Sequence, residues 1–195
     1  MNARDTILDA LRRNRPDPAS HPLPPPVMLG DLDAGQARFV AGLRLLGGDL
    51  LERAPGEPLA AAIARRFPDA RLICSAVPGV DGAVPVQDLP NAQAADPVDV
   101  AVVRAAFGIA ETGSIFLSEA QLHLNALAHL AQHLVVLLDP AQLTANLHTA
   151  YQRPEFRTAR YGVLMSGPSA TADIQGVLIR GAQGVRSLSV CFDSL

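Results

Sequence analysis

Lysine is absent from the 195-residue sequence, so every basic side chain is an arginine. This absence excludes Schiff-base chemistry on a lysine and the Gly-Lys-Ser/Thr phosphate loop of P-loop proteins. The sequence also contains neither a Gly-x-Ser-x-Gly nucleophile elbow nor a Gly-x-Gly-x-x-Gly dinucleotide loop. Several common enzyme classes are therefore excluded before any residue is considered for a role.

Cysteine is scarce as well. The two cysteines, Cys74 and Cys191, each lie within an apolar, strand-like run, and no Cys-x-x-Cys pair exists. An iron–sulfur cluster or a zinc ribbon held by this chain alone is therefore not expected, and we predict neither a metal nor a cofactor. Both thiols are interpreted as small core residues of a protein in a reducing compartment.

Long apolar runs and clusters of basic residues are also missing. Residues 1–15 are charged throughout and lack the apolar segment of a signal peptide, and no run reaches membrane-spanning length. We therefore expect a cytoplasmic protein without membrane contact. The net charge of −3 and the scattered arginines argue against a nucleic-acid partner. A small anionic ligand remains possible, because one or two arginines are enough to bind it.

The N-terminal residues differ in composition from the rest. Helical spacing of apolar residues predicts a helix over 2–14, and the proline-rich stretch 16–30 cannot form regular structure. We divide the chain into an N-terminal helix and arm, 1–30, and an α/β domain, 31–195. A helix on such a tether could pack on a neighbouring subunit, which is why a homo-oligomer is expected.

Predicted strands and helices alternate along residues 31–195. This alternation, with short connections and apolar strands, is typical of a mostly parallel sheet that has helices on both faces. The predicted strands are 49–52, 71–75, 98–103, 113–117, 133–138, 162–166 and 185–192, and the predicted helices are 33–46, 57–66, 121–130, 141–152 and 169–178.

The segment Gly108–Ser114, GIAETGS, is the first candidate for chemistry. It is a natural turn, because Gly113 can take positive φ while Thr112 and Ser114 can bond the local backbone. One interpretation is a hairpin turn with an incidental acid. The other is that Glu111 lies at a strand end, where open α/β sheets bind ligands.

The segment Ser166–Ile174, SGPSATADI, is the second candidate. It leaves a strand, turns at Gly167-Pro168 and enters a predicted helix that Ser169 or Thr171 could cap, with Asp173 in its first turn. Such a helix start exposes N–H groups to a phosphate or carboxylate. An ordinary capped helix explains the pattern equally well.

The histidines and the last glycines give weaker signals. His123 and His129 are interpreted as surface or hydrogen-bonded residues, whereas His133 opens a strand at the edge of a possible cleft. Gly181 and Gly184 are expected to be turn residues before the last strand.

Taken in order, GIAETGSIFLS, HLVVLLDP and MSGPSATADIQGVLIRGAQGV resemble the LutC branch of the LUD-domain proteins, over roughly residues 98–192. The resemblance implies a three-layer α/β sandwich like that of the NagB/RpiA/CoA-transferase group. It also implies a role beside iron–sulfur partner subunits in the oxidation of L-lactate to pyruvate. The sequence departs from the family at Ala170, where a basic residue is common, and at Gln183, where a histidine is common.

The resemblance carries site residues over position by position. It implies that Glu111 is the catalytic residue and that a small anionic ligand is bound by Thr112, Gly113, Ser114, His133, Gly167, Pro168, Ser169, Thr171, Asp173, Gly181 and Gly184.

Three functions follow as alternatives. The first is a ligand-binding subunit of a lactate-oxidising system, with Glu111 as acid/base or hydrogen-bond acceptor. The second is a non-catalytic assembly subunit that docks on iron–sulfur partner proteins. The third is an isomerase or CoA-transfer enzyme on the same fold, with Glu111 as base or acyl acceptor. The residues alone do not decide whether the chain is an enzyme.

Overall fold

The computed structural model describes residues 2–17, 20, 33–172 and 176–193. The helices in these residues are α1 (Ala3–Arg13), α2 (Gln36–Leu45), α3 (Leu59–Arg66), α4 (Glu119–Leu122), α5 (Leu127–Leu130), α6 (Leu147–Tyr151) and α7 (Pro154–Thr158). The strands are β1 (Asp49–Leu50), β2 (Ile73–Ser75), β3 (Val84–Pro85), β4 (Val100–Arg104), β5 (Phe107–Ile109), β6 (Ser114–Ser118), β7 (His133–Leu138), β8 (Leu143–Thr144), β9 (Gly162–Met165), β10 (Ala170–Thr171), β11 (Ile179–Arg180) and β12 (Ser187–Phe192).

A six-stranded sheet in the order β1-β12-β7-β4-β2-β3 forms the centre, and all its neighbouring strands are parallel. Alternate side chains of β4 face opposite ways, as the strand period of two requires. Val100 and Val102 pack towards α3, whereas Ala101 and Val103 pack in the larger cluster with residues of α2, α4 and α5. The predicted α/β class, with a parallel sheet covered on both faces, is therefore confirmed.

A second, four-stranded sheet lies beside the first, in the order β8-β5-β6-β9. Its strand β6 runs antiparallel to both β5 and β9. Ile115 and Leu117 face the large core cluster, while Phe116 faces away and stacks on Phe107 at 4.8 Å between ring centroids. The predicted strand at 113–117 exists, but it belongs to this mixed sheet and not to the parallel one.

One predicted helix is wrong and another begins later than predicted. In the described residues of 169–178, β10 pairs antiparallel with β11, which follows at 179–180, so Ser169 and Thr171 cap no helix. The Ser169 N–H instead bonds the Val185 carbonyl, which fixes the chain in an extended path. Over 141–152, β8 pairs with β5, and the helix begins only after Asn146, whose side chain accepts the Thr149 N–H.

The predicted helix over 121–130 is divided into α4 and α5 at His123, whose φ is +56°. The predicted N-terminal helix is confirmed as α1, and none of its residues is buried. The proposed boundary at residue 30 lies outside the described residues. No helix in the described part of the chain has the length and apolar character needed to cross a membrane.

Candidate functional site

Hydroxyl groups join the two segments that the sequence singled out. Thr112 Oγ1 lies 2.6 Å from Ser114 Oγ, and Ser114 Oγ is hydrogen-bonded to Ser166 Oγ. Ser114 is 3% exposed, so this chain of hydroxyls is largely shielded from water. The segments around Glu111 and around Gly167 are therefore neighbours in the fold.

Helix α2 packs against both segments. Gly113 and Gly167 have φ of +62° and +79°, a region in which residues with a side chain are strained. A Cβ on Gly113 would overlap the backbone nitrogen of Leu43, and one on Gly167 would overlap the carbonyl oxygen of Leu46. Both glycines thus allow close approach of α2, whatever they contribute to a ligand.

Glu111 is exposed and points to another part of the molecule. Its Oε2 accepts a hydrogen bond of 3.3 Å from the N–H of Leu147, the first residue of α6. A carboxylate is favourable there because the first N–H groups of a helix have no partner within the helix. This contact is sufficient to account for the acid, and its catalytic role stays a prediction.

A groove of about 450 Å³ brings together four predicted residues, Gly167, Pro168, Ser169 and Gly184. We call it the Ser166–Ser169 groove; His129, Ser166 and Gln183 also line it. The Ser169 hydroxyl donates to the Gln183 carbonyl, and the Ser169 N–H is used by Val185. The hydrogen-bond donors of Ser169 are thus used within the protein.

Three further residues predicted for this region have different surroundings. Thr171 lies on β10, which pairs with β11. Gly181, at φ +72°, follows β11 and donates its N–H to the Ser169 carbonyl at 2.6 Å. Asp173 lies outside the described residues, so its role stays a prediction. The described part of this region forms a hairpin and a turn in place of the expected helix start.

His133 lies in a different opening, at the amino ends of the parallel strands. This His133 pocket has a volume of about 400 Å³ and includes Ser187, Arg66, Arg186, Phe67 and Asp99. The imidazole Nδ1 is 2.8 Å from Ser187 Oγ, and the ring stacks on Phe67 with 4.6 Å between centroids. Both contacts fix the orientation of the ring.

The charges around His133 favour its neutral form. Burial lowers the pKa of the imidazole, and the guanidiniums of Arg186 and Arg66 lower that pKa further, while Asp99 acts in the opposite direction. The Asp99 carboxylate accepts the N–H groups of Arg71 and Leu72 at 2.8 and 2.9 Å. Neither Arg66 nor Arg186 forms an ion pair with another described residue.

This pocket places two guanidiniums without an ion-pair partner among the described residues beside an oriented imidazole, and it also contains the carboxylates of Asp69 and Asp99. Guanidiniums and an imidazole are groups that bind an anion. The sequence identified His133 but missed both arginines. Arg66 ends α3 and Arg186 precedes β12, so only the fold brings them together.

The two thiols are expected to be unreactive. Cys74 and Cys191 are buried, and burial raises the pKa of Cys74 to about 11 and also raises the pKa of Cys191. Protonated thiols are poor nucleophiles and poor metal ligands. Among the described residues, no group of three His, Cys, Asp or Glu side chains is arranged to hold a metal ion.

Comparisons with known proteins agree with the fold. The family model of the LUD domain matches residues 59–192. The crystal structure of a DUF162 family protein from Deinococcus radiodurans superposes with a TM-score of 0.57 and 18% sequence identity, covering 80% of this chain and 94% of that one. At this identity the likeness concerns the fold alone. A search of curated proteins gives no match.

Proposed function

The chain belongs to the LUD-domain family, and from this we propose that it is a LutC-like subunit of a system that oxidises L-lactate to pyruvate. In this proposal it binds a small anionic ligand in the His133 pocket. The observation that carries the proposal is that Arg66, Arg186 and the oriented imidazole of His133 line one pocket.

The pocket supplies complementary partners for a small carboxylate. A guanidinium can bind both oxygens of a carboxylate, and charge-assisted bonds of this kind are about twice as strong as neutral ones. Ser187 and His133 would orient the rest of the ligand, while the Phe67 ring forms an apolar side. L-lactate and pyruvate both have a carboxylate and are small enough for a volume of about 400 Å³.

Oxidation of L-lactate to pyruvate releases two electrons and two protons, and the electrons need an acceptor. With both thiols buried and protonated, we assign the acceptor to iron–sulfur partner subunits that contact this chain. A proton acceptor is needed as well, and in the pocket the neutral imidazole of His133 can take this role. Glu111 does not line the His133 pocket, so its acid/base role is a separate prediction that is tested below.

Complementation tests the proposed role. The gene is expressed in a bacterium that lacks its own LUD-domain subunit, and growth on L-lactate is compared with growth on pyruvate. We expect growth on L-lactate to be restored by the wild type and by Arg157→Gln, an exposed arginine of α7, but not by Arg186→Gln. Failure of the soluble wild-type protein to restore growth would contradict the proposed role.

Ligand binding tests the site itself. A ligand at a hundredfold excess over its Kd stabilises the folded protein by ~2.7 kcal/mol, so L-lactate, pyruvate and inorganic phosphate can be ranked by thermal shift. We expect Arg186→Gln to abolish the shift of the best anion and Arg157→Gln to keep it. Equal thermal shifts in both variants would show that the anion does not bind in the His133 pocket.

A second candidate, the non-catalytic docking subunit, is favoured by one observation. At the end of α2, Leu45 and Leu46 are 79% and 42% exposed. We would expect Glu111→Gln to leave growth on L-lactate unchanged under this candidate, and Leu45→Asp to abolish both growth and co-purification with the iron–sulfur subunits. Loss of growth in Glu111→Gln alone would instead favour catalysis. The isomerase or CoA-transfer alternative stays a prediction that rests on the fold.

A further inference from the structure

His133 is the first residue of β7, and its neighbours on the two flanking strands determine where its ring can bond. Ser187 of β12 and Val100 of β4 both lie opposite His133 in the parallel register. Residues at one register position of adjacent strands point to the same face of a sheet, which here is the face covered by α3. Of the two neighbours only Ser187 has a hydrogen-bonding side chain, and its Oγ lies 2.8 Å from His133 Nδ1.

The ring has little freedom to turn away from this contact. Phe67, directly after α3, stacks on it with 4.6 Å between the ring centroids and 28° between the ring planes. The other ring nitrogen, Nε2, forms no hydrogen bond with a described residue. Nδ1 is therefore bound by the protein itself, and Nε2 is the nitrogen that a ligand of the His133 pocket can bond.

The contact with Ser187 can be made in two ways, because a neutral imidazole has one N–H group and one nitrogen with a lone pair. In the first, Nδ1–H donates to the serine oxygen, and Nε2 has the lone pair and can accept a proton. In the second, the hydroxyl donates to Nδ1, and Nε2 has the hydrogen and can only donate it. Histidine in water prefers the second tautomer, so the first needs support from the protein.

The charges around the ring support the first tautomer. Arg66, Arg186, Asp69 and Asp99 line the same pocket. A guanidinium stabilises a lone pair that faces it, whereas a carboxylate stabilises an N–H group. Burial lowers the pKa of His133 most, Arg186 and Arg66 lower that pKa further, and the opposing effect of Asp99 is smaller than either. Asp99 Oδ2 also accepts two backbone N–H groups, which draw its charge away from the ring.

We propose that Ser187 is a positioning residue, which holds His133 in the tautomer with the proton on Nδ1 and the lone pair on Nε2. The task of that lone pair rests on the proposed function, the oxidation of L-lactate. The O–H bond of the ligand breaks, its proton forms a bond with Nε2, and the electron pair stays on the oxygen. The second proton and both electrons pass to the acceptor that we assign to the partner subunits.

Nitrogen-15 nuclear magnetic resonance of the full chain measures the tautomer directly, without a ligand or a partner. A ring nitrogen that carries a hydrogen and one that carries a lone pair have well-separated chemical shifts. His133→Gln identifies the signals of His133 by their loss. Above the pKa of the imidazole we expect the hydrogen on Nδ1. A hydrogen on Nε2 in the wild type would overturn the proposal.

Variants of Ser187 test its part in this preference. Ser187→Ala removes the acceptor of the Nδ1 hydrogen, so the tautomer ratio should shift about fivefold towards the form with the hydrogen on Nε2, as expected for one hydrogen bond. Ser187→Thr keeps the hydroxyl and should keep the wild-type ratio. Ser189→Ala is the matched control, because Ser189 lies on the same face of β12 and its hydroxyl has no partner among the described residues. Equal ratios in Ser187→Ala and Ser189→Ala would contradict a role for Ser187.

Growth in the complementation experiment distinguishes this inference from the proposed function. We expect Ser187→Ala to slow growth on L-lactate at least twofold, and Ser187→Thr and Ser189→Ala to grow as the wild type does. Full growth of Ser187→Ala with an altered tautomer ratio would show that the reaction does not use this tautomer. Failure of the wild type to restore growth, together with the expected tautomer, would contradict the proposed function and leave the positioning of His133 by Ser187 established.

Discussion

At the scale of single residues, Gly113 has both a backbone and a packing requirement. In Gly113→Ala the new Cβ would meet positive φ and the backbone of α2 at once. We expect a loss in the free energy of unfolding of more than about 3 kcal/mol, since each such conflict costs roughly 1–3 kcal/mol. Urea denaturation measures it.

Gly79→Ala is the matched control for that loss. Its φ of +75° imposes the same backbone strain, but a Cβ there has open space around it. We expect a loss of about 1 kcal/mol. Equal losses at the two positions would show that α2 yields to the added methyl group and that its packing on the turn is loose.

Asp193 joins the ends of three parallel strands through Arg53 and Arg104. The hydrogen bond from Arg104, followed by that from Arg53, holds the pKa of Asp193 below its ordinary value. Asp193→Asn should therefore cost about 2 kcal/mol at neutral pH, as expected for hydrogen bonds to a partly shielded charge.

The pH dependence of that cost follows from the lowered pKa. The stabilisation is fully present above the unfolded-state pKa of about 3.9 and is lost as pH falls through the folded-state value below it. The stability gap between wild type and Asp193→Asn, followed by urea denaturation, should stay constant down to about pH 5 and then close. A gap that persists in strong acid would assign the cost to packing.

At the scale of elements, α1 contributes little to the fold. Its N-cap Asn2 accepts the Asp5 N–H at 2.9 Å, but Ile7 and Leu11 are 60% and 64% exposed. Deletion of α1 should lower the free energy of unfolding by less than about 1 kcal/mol and the melting temperature by less than about 3 °C.

Light scattering completes the test of α1. A lower molar mass of the particle after the deletion, by more than the mass of α1 itself, would confirm the predicted homo-oligomer. It would also show that α1 packs on a second copy of the chain. A large fall in melting temperature without a change in mass would show that α1 packs on its own domain, contrary to the exposure of Ile7 and Leu11.

The strands that were predicted correctly have a distinctive local sequence. Continuous apolar runs such as 98–103 and 133–138 must be covered on both faces, so a few residues are enough to identify them as strands. The neighbouring strands with which they pair are not encoded in this way. Nothing within 113–117 distinguishes a parallel neighbour from the antiparallel β5 and β9, because the alternation of side chains is the same in both.

The failed helix at 169–178 has a similar cause. Ser, Thr and Asp favour a helix start because their side chains bond nearby backbone groups. Here the Ser169 N–H and hydroxyl bond the carbonyls of Val185 and Gln183 instead, which are distant in sequence. The arginines of the His133 pocket could not be predicted for a related reason. Arg66 and Arg186 are far apart in sequence, and only the fold brings them to one pocket.

At the scale of the whole molecule, the two sheets share one core. Ile115 and Leu117 of β6 pack in the same cluster as Leu134 and Val136 of β7. We therefore expect a single cooperative unfolding transition. Tryptophan is absent, so tyrosine emission is available as a probe. Tyr151 and Tyr161 both lie beside the second sheet, on α6 and just before β9.

Coincident urea transitions by tyrosine emission and by far-ultraviolet circular dichroism would confirm that single unit. An earlier transition in the tyrosine signal would instead show that the second sheet unfolds first. Ile115→Ala should lower both urea midpoints together, because truncation of a buried isoleucine to alanine lowers the free energy of unfolding by roughly 2–5 kcal/mol.

The burial of Cys74 and Cys191 also has a practical consequence. Maleimide dyes attack thiolates, and protonated thiols inside the core offer them almost none. One cysteine introduced at an exposed position such as Asp81 would therefore take the dye alone, with both natural cysteines kept. The wild-type chain is ready as a background for fluorescence distance measurements, including those that would follow its docking on a partner.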